Sequence, residues 1–84
     1  MSLVRQRKSL KAAEPLFGLE IRSLREKLGI SQEELGFRSG LHRTYISQIE
    51  RGLKSPSLGV ILKLAKALGI PAARLISAVE GNLQ

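Results

Sequence analysis

Between Ser31 and Gly52 the chain describes two short helices joined at a glycine. Ser31 is a favourable N-cap, and Glu34 stands three residues on, the spacing of a capping box in which each residue's side chain bonds the other's backbone N–H. The helix so started is predicted over Gln32 to Ser39, with Leu35 facing inward, and Gly40 ends it. Gly36 in its middle costs about 1 kcal/mol relative to alanine on propensity alone; that makes sense where another helix crosses too closely for a side chain. A second helix is predicted from Arg43 to Arg51, stopping at Gly52. Ile46 and Ile49 point one way, with Tyr45 at the edge of that face. Arg43, Thr44, Ser47, Gln48 and Arg51 fan across the other.

The flanking segments read as the support of this pair. Pro15 suits a first helical turn, and Phe17, Ile21, Leu24 and Leu28 form a narrow apolar stripe, so a helix is predicted from Pro15 to Leu28 with Gly29 as its left-handed terminator. Arg25 lies beside that stripe rather than opposite it. After a linker, Leu53 to Ser57, that carries Lys54 and Pro56, Ser57 caps a helix over Leu58 to Leu68. It is apolar at Ile61, Leu62, Leu64, Ala65 and Leu68, with Lys63 and Lys66 on its wet side, and Gly69 ends it. A last helix starts at Pro71, buries Leu75, Ile76 and Val79, and stops at Gly81. The predicted fold class is all-α: five helices, no strands and no internal repeat. Residues 1–14 form a basic arm, 15–80 one helical domain and 81–84 a short tail.

At 84 residues the chain holds one small domain with a limited core. It has no cysteine, so neither a disulfide nor a thiolate metal site helps to hold it. Phe17, Phe37 and Tyr45 are its three aromatics, which leaves leucine and isoleucine to fill the interior. A formal charge of +7 favours polyanionic partners, nucleic acid first and an acidic membrane surface second. No apolar run approaches the ~20 residues that span a bilayer, and residues 1–14 lack the apolar region of a secretory signal. The expected location is the cytoplasm, with no membrane partner. Arg5, Arg7, Lys8 and Lys11 face one acid, Glu14, in the N-terminal segment, which reads equally as a basic arm that orders on a partner or as a solvated tail.

The major groove of B-DNA accepts one α-helix and presents each base pair as a distinct pattern of donors and acceptors. A helix that reads it needs forked or bifunctional side chains at i, i+1, i+4 and i+5. Arg43, Thr44, Ser47 and Gln48 have that spacing. Arg43 suits a bidentate contact with guanine and Gln48 with adenine; Thr44 offers a hydroxyl or a methyl, and small Ser47 lets the backbone come close. Phosphates are held separately, by helix N-termini and by polar or basic side chains. Gln32, Arg51 and Lys54 are the candidates, with Tyr45 either a fourth or a core-edge aromatic with a wet tip.

At these residues the sequence resembles the phage-repressor type of helix-turn-helix, the Cro-like or XRE family. The resemblance runs from Phe17 to about Val79. It is carried by Ile21-Arg22-Ser23-Leu24-Arg25, by Ser31-Gln32-Glu33-Glu34-Leu35, by Arg43 through Gly52, by Pro56-Ser57-Leu58 and by Leu64-Ala65-Lys66-Ala67-Leu68. The run Arg43-Thr44-Tyr45-Ile46-Ser47 followed by Ile49-Glu50-Arg51 is especially similar to the controller proteins of restriction–modification systems. The resemblance implies a compact five-helix, lambda-repressor-like DNA-binding domain whose third helix enters the major groove, usually as a homodimer on a near-palindromic operator. Carried over by position, Arg43, Thr44, Ser47 and Gln48 face bases and Gln32 takes a phosphate. The family's structural ion pair falls on Arg25 and Glu50, and periodicity agrees, since both sit beside their apolar stripes. Gly36 stands where the family often has alanine, and His42 where a small N-cap is common; a weak cap or a phosphate contact suits a lone histidine there better than metal ligation.

Three function classes are open to these residues. A sequence-specific, dimeric transcriptional regulator binding double-stranded DNA fits best, with apolar residues of the last two helices (Ile70, Leu75, Ile76, Val79 and Leu83) in excess of what a thin core needs. The alternative is a protein-binding adaptor of the same fold, such as the antitoxin of a toxin–antitoxin pair. An enzyme is the weakest reading, because one histidine, no cysteine and no aspartate leave little for acid–base or metal chemistry. No cofactor, metal or small-molecule substrate is expected.

Overall fold

The computed structural model describes residues 12–83, so most of the basic arm lies outside the described residues. Five helices follow one another: α1 (Ala13–Lys27), α2 (Gln32–Ser39), α3 (Arg43–Glu50), α4 (Leu58–Leu68) and α5 (Ala72–Gly81). There is no strand among the described residues, and no helix there is long and apolar enough to cross a membrane. Local signals explain most of the boundaries. The hydroxyls of Ser31 and Ser57 accept from the backbone N–H groups of Glu34 and Val60, closing the first turns of α2 and α4. Only half of the expected capping box is made at α2, because the Glu34 carboxylate accepts instead from Arg38 Nε at 2.8 Å. The first helix starts at Ala13, two residues ahead of the predicted start, and carries Pro15 within its first turn, where a missing N–H leaves no gap in the ladder. At the far end Gly81 stays helical and Asn82 forms the C-cap, its amide donating to the Ala78 carbonyl.

The core gathers from all five helices. Phe17 and Ile21 enter from α1, Leu35 from α2, Ile46 and Ile49 from α3, Leu64, Ala65 and Leu68 from α4, and Leu75 and Val79 from α5. Six aliphatic side chains lose all but a trace of their exposure, each stabilising the fold by about 1.5–3 kcal/mol relative to an exposed position. Helix α1 packs on α3 and α5, α2 on α3 and α4, and α4 on α5, which leaves α3 wedged between α1 and α2.

Three side chains expected inside are exposed: Leu28, Leu62 and Ile76. Leu28 is the C-cap of α1, where the chain is already turning away at Gly29. Leu62 and Ile76 stand at the rims of their apolar faces, next to solvent rather than to another helix. Phe37 is 84% exposed, so Phe17 is the one phenylalanine in the core.

Two close backbone approaches explain glycines inside helices. A Cβ on Gly36 would lie 2.6 Å from the carbonyl oxygen of Leu41. The tightest contact is with the turn leading into α3, and the first residue of that helix follows, with the Arg43 nitrogen at 3.4 Å. A tighter helix crossing is at Gly18, where α1 runs over the end of α3 and a Cβ would meet the carbonyl oxygen of Glu50 at 2.7 Å, with that of Ile49 closer still.

Candidate nucleic-acid interface

The candidate surface begins with the turn between α2 and α3. Gly40 adopts φ 75°, ψ 20°, a left-handed conformation open to glycine at no steric cost, and the Leu41 N–H then donates back to the Gly36 carbonyl at 2.9 Å. His42 follows in an extended conformation and caps α3: its Nδ1 accepts from the Thr44 backbone N–H at 3.0 Å. That bond requires the tautomer with its proton on Nε2. Three residues, Gly40, Leu41 and His42, thus swing the chain from α2 into α3, the length of turn that joins the two helices of a helix-turn-helix.

On α3 the division between faces is sharp. Ile46 and Ile49 are buried, and Tyr45 packs half-buried against the core. Arg43 and Thr44 are exposed, Ser47 and Gln48 partly so, and Arg51, the C-cap, is exposed with its Nε donating to the Ser47 carbonyl at 3.4 Å. In angular order Arg43, Ser47, Arg51, Thr44 and Gln48 occupy an arc of about 140°. The arc holds two guanidinium groups and no carboxylate. Lys54 is exposed in the loop that follows.

Glu50 belongs to α3 but turns inward, with its side chain 3% exposed. Its Oε2 accepts from Arg25 Nε at 2.7 Å and its Oε1 from Arg25 Nη2 at 3.1 Å, a bidentate pair between α3 and α1. Arg25 Nη1 donates to the Ile30 carbonyl at 2.9 Å, which ties in the loop before α2. The hydrogen bond with Glu50 raises the Arg25 pKa above its ordinary value; burial opposes this, and the charges of Glu50 and Glu26 reinforce it. A raised base adds stability that is complete below its unfolded pKa and lost only above the folded one, so the arginine side of this pair stays charged throughout the neutral range.

Sequence reasoning placed Gln32 at the start of α2, where it is, but missed its partner. The Gln32 side chain is half-buried and its Nε2 donates to Glu50 Oε1 at 2.9 Å. No local signal marks that contact, because eighteen residues separate the two. The structure therefore brings Arg43, Thr44, Ser47, Gln48 and Arg51 to one face of α3, ties Gln32 to the inward-turned Glu50, and leaves Lys54 beyond the end of α3. No group of three or more His, Asp or Glu capable of holding a metal stands among the described residues.

Two helices set by a glycine turn, the second presenting a polar and cationic arc to solvent, define a helix-turn-helix protein. A family model described as Helix-turn-helix matches residues 21–75, and the chain belongs to that family of DNA-binding transcriptional regulators. It is 50% identical over 62 residues to the control protein C.BamHI of Bacillus amyloliquefaciens, which covers 73% of this chain and 76% of that protein. The crystal structure of the restriction–modification controller protein C.AhdI from Aeromonas hydrophila is similar with a TM-score of 0.74 at 48% identity, over 77% of this chain and 94% of the other. The DNA-binding domain of the P22 c2 repressor in solution matches with a TM-score of 0.72 at 37% identity, over 84% and 90%.

Proposed function

We propose that the chain binds a specific double-stranded operator as a homodimer, each copy laying α3 in the major groove. In this reading Arg43, Thr44, Ser47 and Gln48 meet base edges, and Gln32, Tyr45, Arg51 and Lys54 meet the backbone. The observation that carries it is the split character of α3: one side anchored in the core by Ile46 and Ile49, the other open to solvent at Arg43, Thr44 and Arg51, partly so at Ser47 and Gln48, and cationic. A face held this rigidly meets a duplex with little ordering cost. The protein acts in the cytoplasm as a binding protein rather than an enzyme, and it needs no cofactor.

Dimerisation is supported by what α4 and α5 leave uncovered. Leu75 and Val79 belong to the core, with Ile70 and Leu83 packed against it, so of the surplus apolar residues in α5 only Ile76 remains exposed. Leu58 and Leu62, one turn apart on α4, add 72% and 52% exposed leucines. Ile61 and Ile76 wall an apolar groove of about 160 Å³ together with Phe17, Pro56 and Val79. A second copy meeting these residues in a two-fold contact would cover them.

Selection of bound duplexes from a random pool tests the reading. The expected product is an inverted repeat with half-site centres about 34–36 Å apart, bound far more tightly than a scrambled duplex at the same salt concentration. Recovery of no sequence preference would overturn it.

A further inference from the structure

We propose that Glu50 is a positioning residue for DNA: besides holding α1 to α3, it clamps the Gln32 side chain in the pose that meets a phosphate. The inference rests on the DNA-binding reading above and assigns Glu50 a task beyond its ion pair.

The geometry is specific about the amide. The Glu50 carboxylate lies against the Arg25 guanidinium and is therefore an acceptor on both oxygens. Gln32 must turn its NH₂ toward Oε1, and it does so at 2.9 Å. That contact settles which way the amide faces and occupies one of its two hydrogens. The second Nε2 hydrogen and Oε1 remain for another partner. A DNA phosphate, which only accepts, takes the hydrogen.

The clamp matters because a glutamine side chain is flexible. Free in solvent it spreads over many rotamers, and ordering it upon binding opposes association. Held by a carboxylate that is itself nearly buried, the amide is ordered before DNA arrives. The same carboxylate sits at the end of α3, while Gln32 is the first residue of α2. The network Arg25–Glu50–Gln32 thus fixes the register between a backbone contact and the base-reading face, and Arg25 Nη1 on the Ile30 carbonyl holds the approach to α2 in the same frame.

A double-mutant cycle on the duplex recovered by selection tests this. Affinity is measured for the wild type, Gln32→Ala, Glu50→Gln and the double variant, each at a temperature where circular dichroism shows it folded. Gln32→Ala is expected to weaken binding about five- to tenfold, the scale of one hydrogen bond. The loss should be equal on the selected duplex and on one with a changed base pair, with the salt slope unaltered because the amide carries no charge. Glu50→Gln should cost a similar factor in the wild-type background and less than twofold in the Gln32→Ala background. Equal costs in both backgrounds would reduce Glu50 to a purely structural role and overturn the proposal, as would full affinity of Gln32→Ala. Should Glu50→Gln not fold, NMR of the wild-type Gln32 side-chain amide decides. Nitrogen relaxation of that NH₂ group should report a restricted side chain both free and DNA-bound; in the free protein, an amide as mobile as that of a fully solvated glutamine would refute the clamp. A wild type that selects no DNA would instead sink the underlying reading, so the two failures are distinguishable.

Discussion

Arg25 Nε and Glu50 Oε2, twenty-five residues apart in sequence, lie 2.7 Å apart in the fold. Their side chains are 12% and 3% exposed, so neither charge has water to fall back on. Arg25→Ala strands a buried carboxylate and is expected to lower the free energy of unfolding by about 3–5 kcal/mol. Urea denaturation followed by circular dichroism measures it. A loss below 1 kcal/mol would show that the pair contributes little to holding α1 against α3.

Gly18→Ala and Gly59→Ala make opposite use of one methyl group. At Gly18 the new Cβ meets the carbonyl oxygen of Glu50 at 2.7 Å, and backbone cannot step aside as a flexible side chain would. A cost of about 3 kcal/mol is expected, the upper end of ordinary overpacking. At Gly59 the nearest heavy atom is the Ser57 hydroxyl oxygen at 3.9 Å, and alanine should stabilise by about 0.4–1 kcal/mol through the unfolded chain. Thermal melts of the two variants should therefore shift in opposite directions.

The proposed base-reading and backbone-contact roles are separable in solution. Gln48→Ala is expected to relax preference at one operator position and weaken binding by about 1–3 kcal/mol. Lys54→Ala should weaken binding evenly across sequences and reduce the salt slope by about one unit. Titrations of both variants on the operator and its single-base changes, at two or more salt concentrations, compare the signatures directly. An unchanged preference in Gln48→Ala would remove it from the reading set.

His42 caps α3 through Nδ1 rather than through the hydroxyl or carboxyl oxygen of a common N-cap. Removing that acceptor in His42→Ala should cost about 0.5–2 kcal/mol of stability, whereas His42→Ser, which offers a short oxygen at the same place, should recover most of it. Equal melting temperatures for both variants would mean that the cap is energetically idle.

Leu58→Glu combined with Leu62→Glu places like charges on the uncovered face of α4. Sedimentation equilibrium is expected to report a monomer with intact helical content, and binding to the two-half-site duplex should fall to that of a single half-site. A dimer that survives both changes must use another surface.

The parts of this fold legible in the sequence are those governed by neighbours along the chain. Ser31 and Ser57 are caps because the N–H they satisfy is three residues away, and Gly40 ends α2 because its own φ must be positive. The open arc of α3 follows from helical period alone. The same period puts Leu62 and Ile76 on apolar faces, yet both are exposed, because period assigns a face but not what stands opposite that face. The Glu34 carboxylate departs from the capping-box expectation because Arg38, one turn on, competes for it.

The sequence by itself determined five helices, the caps at Ser31 and Ser57, the stops at Gly40 and Gly69, and the side chains that could face a DNA duplex, since each depends on interactions within a turn or two of helix. Only the tertiary structure decided that Gly18 marks the crossing of α1 over α3, that the turn at Leu41 crowds Gly36, and that Gln32 shares the Glu50 carboxylate with Arg25. Those contacts join segments that become neighbours through collapse around one core, and nothing local in the chain encodes the distance between them.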